Sequence, residues 1–197
     1  MNRVVLFIDN ISAWAGKTFG WCILILTFAI SYEVLARYLL QAPTEWAFDV
    51  SYMLYGALFM MAGAYCLARN AHVRGDFVYR FWSPRTQAYS DLILFFLFFF
   101  PGIIALVYAG FGFARLSWLL NEHSPFSPRG PPVYPLKMLI PVAGFLMFLQ
   151  GVAEVMRCIV CIRTGEWPQR LHDVEELEKV ALEQATKQHP LADKSAV

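Results

Sequence analysis

Four runs of apolar residues, each close to the length of a helical bilayer crossing, constrain this chain more than anything else in it. A helix rises 1.5 Å per residue, so about 20 mostly apolar residues cross a hydrocarbon core of about 30 Å. Thr18 to Leu40, Val50 to Ala68, Leu92 to Ala114 and Met138 to Ile162 meet that requirement. The second and third runs hold no charged residue, whereas the first carries Glu33 and Arg37 and the fourth carries Glu154 and Arg157 near its end. Composition agrees: 58% of residues are hydrophobic and 16% charged, against about 25% charged in soluble domains. The expected fold class is therefore an all-α membrane protein with four transmembrane helices. A net charge of +1 offers no basic face for nucleic acid, and that class is excluded.

Span one begins too far from Met1, and without a small-residue cleavage site, to read as a removable signal peptide. The preceding residues place Val4, Val5, Ile8, Ile11 and Trp14 on one helical face, with Asp9, Asn10 and Lys17 elsewhere. Residues 1–17 are expected to form an interfacial helix, 18–163 a four-helix membrane domain, and 164–197 a cytoplasmic tail. Each crossing switches side, so the sixteen Lys and Arg residues divide twelve against four. The side with twelve includes Arg3, Lys17, Arg69, Arg74, Arg80, Arg85, Arg157, Arg163 and Arg170, and the positive-inside rule makes it cytoplasmic. Both termini are expected inside.

On that topology "LARNAHVRGDFVYRFW", residues 67 to 82, is the cytoplasmic loop between spans two and three. Arg69, Arg74 and Arg80 would sit near anionic headgroups, and Asp76 would cap a short interfacial helix that Pro84 ends. A rival reading pairs His72 with Asp76, four residues apart, as a proton relay or metal site. Gly75 interrupts the helix that would create that spacing, and no third ligand is near. In span one, Glu33 and Arg37 stand at i and i+4 with the acid first, the favoured order for a helix ion pair. An intramembrane charge needs such a partner. Glu45 and Asp49 follow a short turn, "QAPTE", and an Arg37–Asp49 bridge between helices is a second expectation.

Chemistry-bearing motifs are sparse. Cys158 and Cys161 form a C-x-x-C, but no second pair of matching spacing accompanies them, and Cys22, Cys66, His72, His123, His172 and His189 do not supply a zinc or haem set. No phosphate loop or nucleophile elbow occurs. No cofactor is expected, and the chain is not expected to be an enzyme. Span three places Gly102, Ala105, Ala109 and Gly112 on one stripe, and span two has Gly56 and Gly63. Small residues let helices approach closely, so these read as packing faces. Pro101 and Gly102 could kink span three. Five prolines from Pro125 to Pro135 stiffen the outer loop, and Leu171 to Ala185 forms at best a weakly amphipathic helix.

The order of these features resembles the small membrane subunit of tripartite ATP-independent periplasmic (TRAP) transporters, the DctQ-like proteins. The similar stretches are "ARYLLQAPTEWAFDVSYML" at the first turn, "ARNAHVRGD" after span two and "YPLKMLIPVAGFLMFLQG" opening span four, covering residues 18 to 163. The resemblance implies a scaffold in the bacterial inner membrane. It would pack against a large permease subunit that holds the sodium and substrate sites, while a periplasmic binding protein delivers an organic acid. By the family pattern Trp46 and Asp49 match the Trp and acidic residue after the first turn, and His72 and Asp76 match an "H-x-x-x-D". Glu33, Arg37, Trp46, Asp49, Arg69, His72, Arg74 and Asp76 are the structural or subunit-interface candidates. The alternatives are an autonomous small exporter, which should carry an acid centrally in a span, and the membrane anchor of a redox enzyme, which should carry haem or quinone ligands.

Overall fold

The computed structural model of the chain describes residues 2–71, 79, 81–128 and 130–168. Helix α1 (Asn2–Gly20) passes through one turn at Trp21 into α2 (Cys22–Tyr38), followed by α3 (Ala47–Ala68) and α4 (Pro84–Leu94). A π-helical turn, Phe95–Phe99, joins α4 to α5 (Phe100–Leu119), and α6 (Tyr134–Thr164) completes the bundle. Four helical stretches are long and apolar enough to cross a membrane: Arg3–Tyr38, Ala47–Ala68, Pro84–Leu119 and Tyr134–Thr164. Each begins before the apolar run that marks it, and the last two also end beyond it. Among the described residues the only extended pairing is an isolated bridge between His123 and Pro132.

Local chemistry explains the extensions. Ser83 accepts a hydrogen bond from the Thr86 amide at 3.4 Å, and Pro84 stands in the first turn of α4, where its missing N–H costs nothing. Pro84, expected to end a short helix that lies mostly outside the described residues, opens this one. Pro101 lies two residues into α5, directly after the π turn. A wider i→i+5 turn relieves the clash of a proline ring with the carbonyl four residues back. Gly165 closes α6 at φ 85°, a left-handed conformation that glycine adopts without steric cost. The chain then folds back, and the Trp167 indole N–H donates to Gln87 Oε1 of α4 at 3.1 Å.

Helices α3 and α6 form the centre: α6 packs against α1, α3, α4 and α5, and α3 packs against α1, α2 and α6. Glycines seat the crossings. A Cβ on Gly16 would lie 2.5 Å from Tyr65 Cβ, one on Gly110 2.7 Å from Ile140 Cγ2, and one on Gly151 2.4 Å from the Phe99 ring. Gly56 and Gly63 face Leu136 and Met147 of α6, so span two uses its expected small face. Span three does not. Gly102, Ala105, Ala109 and Gly112 are all exposed, and α5 instead turns Ile103, Gly110, Ala114 and Ser117 inward. The expected stripe is real in the sequence but meets no helix among the described residues.

The N-terminal helix packs on the bundle through the face that its apolar residues do not mark. Its polar side, Asp9 and Ser12 with Ala15, is the buried side, and Val4, Phe7 and Trp14 point outward. Ala15 joins Met61 and Ala143 in a core cluster. A helix that buries Asp9 needs polar partners from the bundle, and α6 supplies them.

Candidate functional site

Three polar clasps and one open helix face are the features from which a function can be built. The first clasp fixes the turn between α2 and α3. Glu33 Oε1 accepts from Arg37 Nε at 3.0 Å and also from its Nη2, while Glu33 Oε2 accepts from the Thr44 amide at 3.0 Å and from the Thr44 hydroxyl. Trp46 stacks on Tyr32 with centroids 6.2 Å apart. Glu33, Arg37 and Trp46 are thus brought together at one end of the bundle.

The second clasp holds the loop of residues 120–133 against the start of α3. Asp49 is fully buried. Its Oδ1 accepts from the Ser124 hydroxyl, and Ser127 Oγ lies within hydrogen-bonding distance of both Asp49 Oδ2 and the Glu45 carbonyl. As the third residue of α3, Asp49 also faces the positive end of the helix dipole. The expected bridge from Arg37 to Asp49 is corrected here. Arg37 is taken by Glu33 in its own helix, and both Asp49 oxygens are taken by serine hydroxyls. Beside this clasp Lys137 Nζ reaches Glu122 at 2.5 Å and lies 4.0 Å from the Phe113 ring centroid. The ammonium holds the Glu122 carboxyl below its ordinary range, since the charged acid gains a partner.

The third clasp is at the other end, where α1 meets α6, and the sequence reading did not single it out. Arg157 Nη2 donates to Asp9 Oδ2 and Nη1 to Glu154 Oε1. Gln150 Nε2 donates to Asp9 Oδ1 at 2.8 Å, and the Ser12 hydroxyl donates to Gln150 Oε1 at 3.0 Å. All five side chains are buried. Asp9 lies off the apolar face of the N-terminal helix, and Glu154 and Arg157 stand near the end of span four, so hydropathy alone does not pair them. The legible signal is spacing: Gln150, Glu154 and Arg157 share one face of α6, and Asp9, Ser12 and Gly16 share one face of α1.

Of the remaining candidates, Arg69, which directly follows the last residue of α3, lies over the Tyr65 ring, 4.8 Å from its centroid. His72, Arg74 and Asp76 fall outside the described residues, as does the helix expected beyond Leu171. Cys158 and Cys161 pack with Ala88 in a small core between α6 and α4.

The sequence profile of the family described as "Tripartite ATP-independent periplasmic transporters, DctQ component" matches residues 19–161. The chain belongs to that family. The match runs from the end of α1 to the last turn of α6 and so takes in all four spans. No curated protein matches the chain. The DctQ family is a transporter component and not a family of enzymes. Together with the four apolar helices, membership makes this a multi-pass membrane protein, the small permease component of a TRAP transporter. In a DctQ protein the clasps read as devices that hold helices and loops in place: each joins separate elements of one chain through satisfied polar groups.

Proposed function

We propose that this DctQ chain is a scaffold that presents α5 to the large permease subunit, which carries the sodium and organic-acid sites and works with a periplasmic binding protein. The observation that carries the reading is the small-residue stripe Gly102, Ala105, Ala109 and Gly112. It is exposed along α5, and among the described residues no other element comes within 4 Å of a Cβ placed on Gly102 or Gly112. Between membrane helices, association rests on close backbone approach, and small residues permit it. The inward face of α5 is already committed to α6 through Gly110. An autonomous exporter is less well supported, because the acids Glu33 and Glu154 are bound into clasps toward opposite ends of the bundle. Substrate and sodium chemistry belong, in this proposal, to the partner.

Co-purification with the co-expressed large permease tests it. Gly102→Leu/Gly112→Leu is expected to lower the yield of complex at least tenfold, equivalent to about 1.4 kcal/mol lost from the interface. The thermal unfolding of the chain alone should stay as in the parent. Unchanged complex yield would remove α5 as the docking face. The same proposal sets both termini in the cytoplasm of a bacterium, on the twelve-to-four division of basic residues. Reporter fusions after Lys17 and Arg85 are expected to report cytoplasmic positions and one after Glu122 a periplasmic position. The opposite pattern would invert the topology.

A further inference from the structure

The loop between α5 and α6 carries an aromatic residue that is pinned by its neighbours and yet left largely exposed. Phe126 is 68% exposed, yet the loop around it is tightly held. Asp49 binds Ser124 and Ser127. The Ser124 amide donates to the Pro131 carbonyl at 3.0 Å, Gly130 to Ser127 at 3.1 Å and Val133 to Glu122 at 2.9 Å. The Phe126 ring meets Phe48 edge-on at 5.5 Å and Tyr52 at 6.1 Å. Both of those belong to the first two turns of α3, a helix that spans the membrane. A ring pinned to them sits within about 10 Å of the helix end along its axis, at the depth of the bilayer interface.

We propose that this loop tip is a membrane anchor: Phe126, with Phe48 and Tyr52, is seated at the boundary between phospholipid headgroups and acyl chains, and the bilayer is its ligand. Three observations carry the choice of lipid over protein. The tip is chemically suited to low-dielectric surroundings: the Phe126 amide donates to Ser124 Oγ at 3.3 Å, and its neighbours Pro125 and Pro128 have no N–H to leave unpaired. The sequence Pro125 to Pro128 is uncharged. The foot also continues an outward flank of α3, where Phe48, Tyr52, Tyr55 and Phe59 recur at helical spacing and Tyr55 stacks on Phe59 at 6.3 Å. Bulky aromatic rings suit lipid and the interfacial belt, whereas the small stripe that suits another helix lies on α5.

A nitroxide attached to Phe126→Cys, in a full-length chain whose four native cysteines are replaced by alanine or serine, reads the depth. The chain is extracted with its surrounding native lipid in copolymer-bounded discs, so that any bound protein stays in place. Collisions with dissolved oxygen are expected to exceed those with a water-soluble nickel chelate at least threefold. Predominant nickel collisions would place the tip in water, and loss of both would place it under a protein partner. Either result overturns the anchor. Phe126→Trp, made with the native cysteines intact, gives a second reading should the cysteine-free chain fail to fold. Phospholipid brominated near the headgroup should then quench its added emission, and quenching by aqueous iodide instead would count against the proposal.

Discussion

Arg157→Ala is expected to destabilise the isolated chain by about 3–5 kcal/mol, the largest effect of any single substitution considered. Arg157 is the cation between two buried carboxylates, Asp9 and Glu154. Its removal leaves both acids in a site that water does not reach, and that penalty, not the strength of the pair, sets the cost. Because Asp9 and Ser12 face α6 from α1, the loss should be felt first as detachment of the N-terminal helix. Limited proteolysis within residues 2–20 and equilibrium unfolding in mixed detergent micelles measure the two consequences. A companion variant separates the causes. Asp9→Leu/Glu154→Leu/Arg157→Met removes every charge and keeps the volume, and it should recover most of the lost stability. If Arg157→Ala unfolds within about 0.5 kcal/mol of the parent, the clasp does not hold α1.

The clasp also shows which parts of this molecule a linear reading reaches. The number of spans, and the second span with its Gly56 and Gly63 face, follow from hydropathy and from small residues at helical spacing. Both are local properties, and both appear in the structure. The choice of inward face on span three was not local. Gly102, Ala105, Ala109 and Gly112 form a better small stripe than Gly110 with Ala114, yet Gly110 is the position that admits Ile140. A stripe marks where some helix can approach; it does not say whether that helix belongs to the same chain. Asp9 illustrates a related point: the apolar pattern of the N-terminal helix marks Val4, Val5, Ile8, Ile11 and Trp14 as one face and leaves Asp9 off it. Within a membrane bundle the outer face meets lipid, and polar residues turn inward to find one another. The Arg37–Asp49 bridge failed because a competing acid, Glu33, stands one turn away in the same helix. The serines that occupy Asp49 come from a loop 75 and 78 residues farther on, separations at which no periodicity can report a contact.

Asp49→Ala should have the second-largest effect, and a more local one. Two hydroxyl groups give hydrogen bonds to an ionised carboxylate, each contributing roughly 1.5–3 kcal/mol, and the charge also sits at the helix N-terminus. The expected cost is about 3 kcal/mol, confined to the loop because the contacts between α3 and α6 at Gly56 and Gly63 do not involve Asp49. Hydrogen exchange reads it directly. The amides of Ser124, Gly130 and Val133, all bonded within the loop, should exchange more than a hundredfold faster, since each 1.4 kcal/mol is a factor of ten. The core of α6 should be unchanged. Asp49→Asn keeps one carbonyl acceptor and the shape of the side chain but loses the charge, so its effect should be intermediate. Ser124→Ala/Ser127→Ala should approach the alanine variant at Asp49, because it strips the same two bonds from the other side and leaves the carboxylate buried. Loop exchange in Asp49→Ala equal to that of the parent would mean that the proline-rich backbone, with its bridge from His123 to Pro132, holds the loop without the clasp.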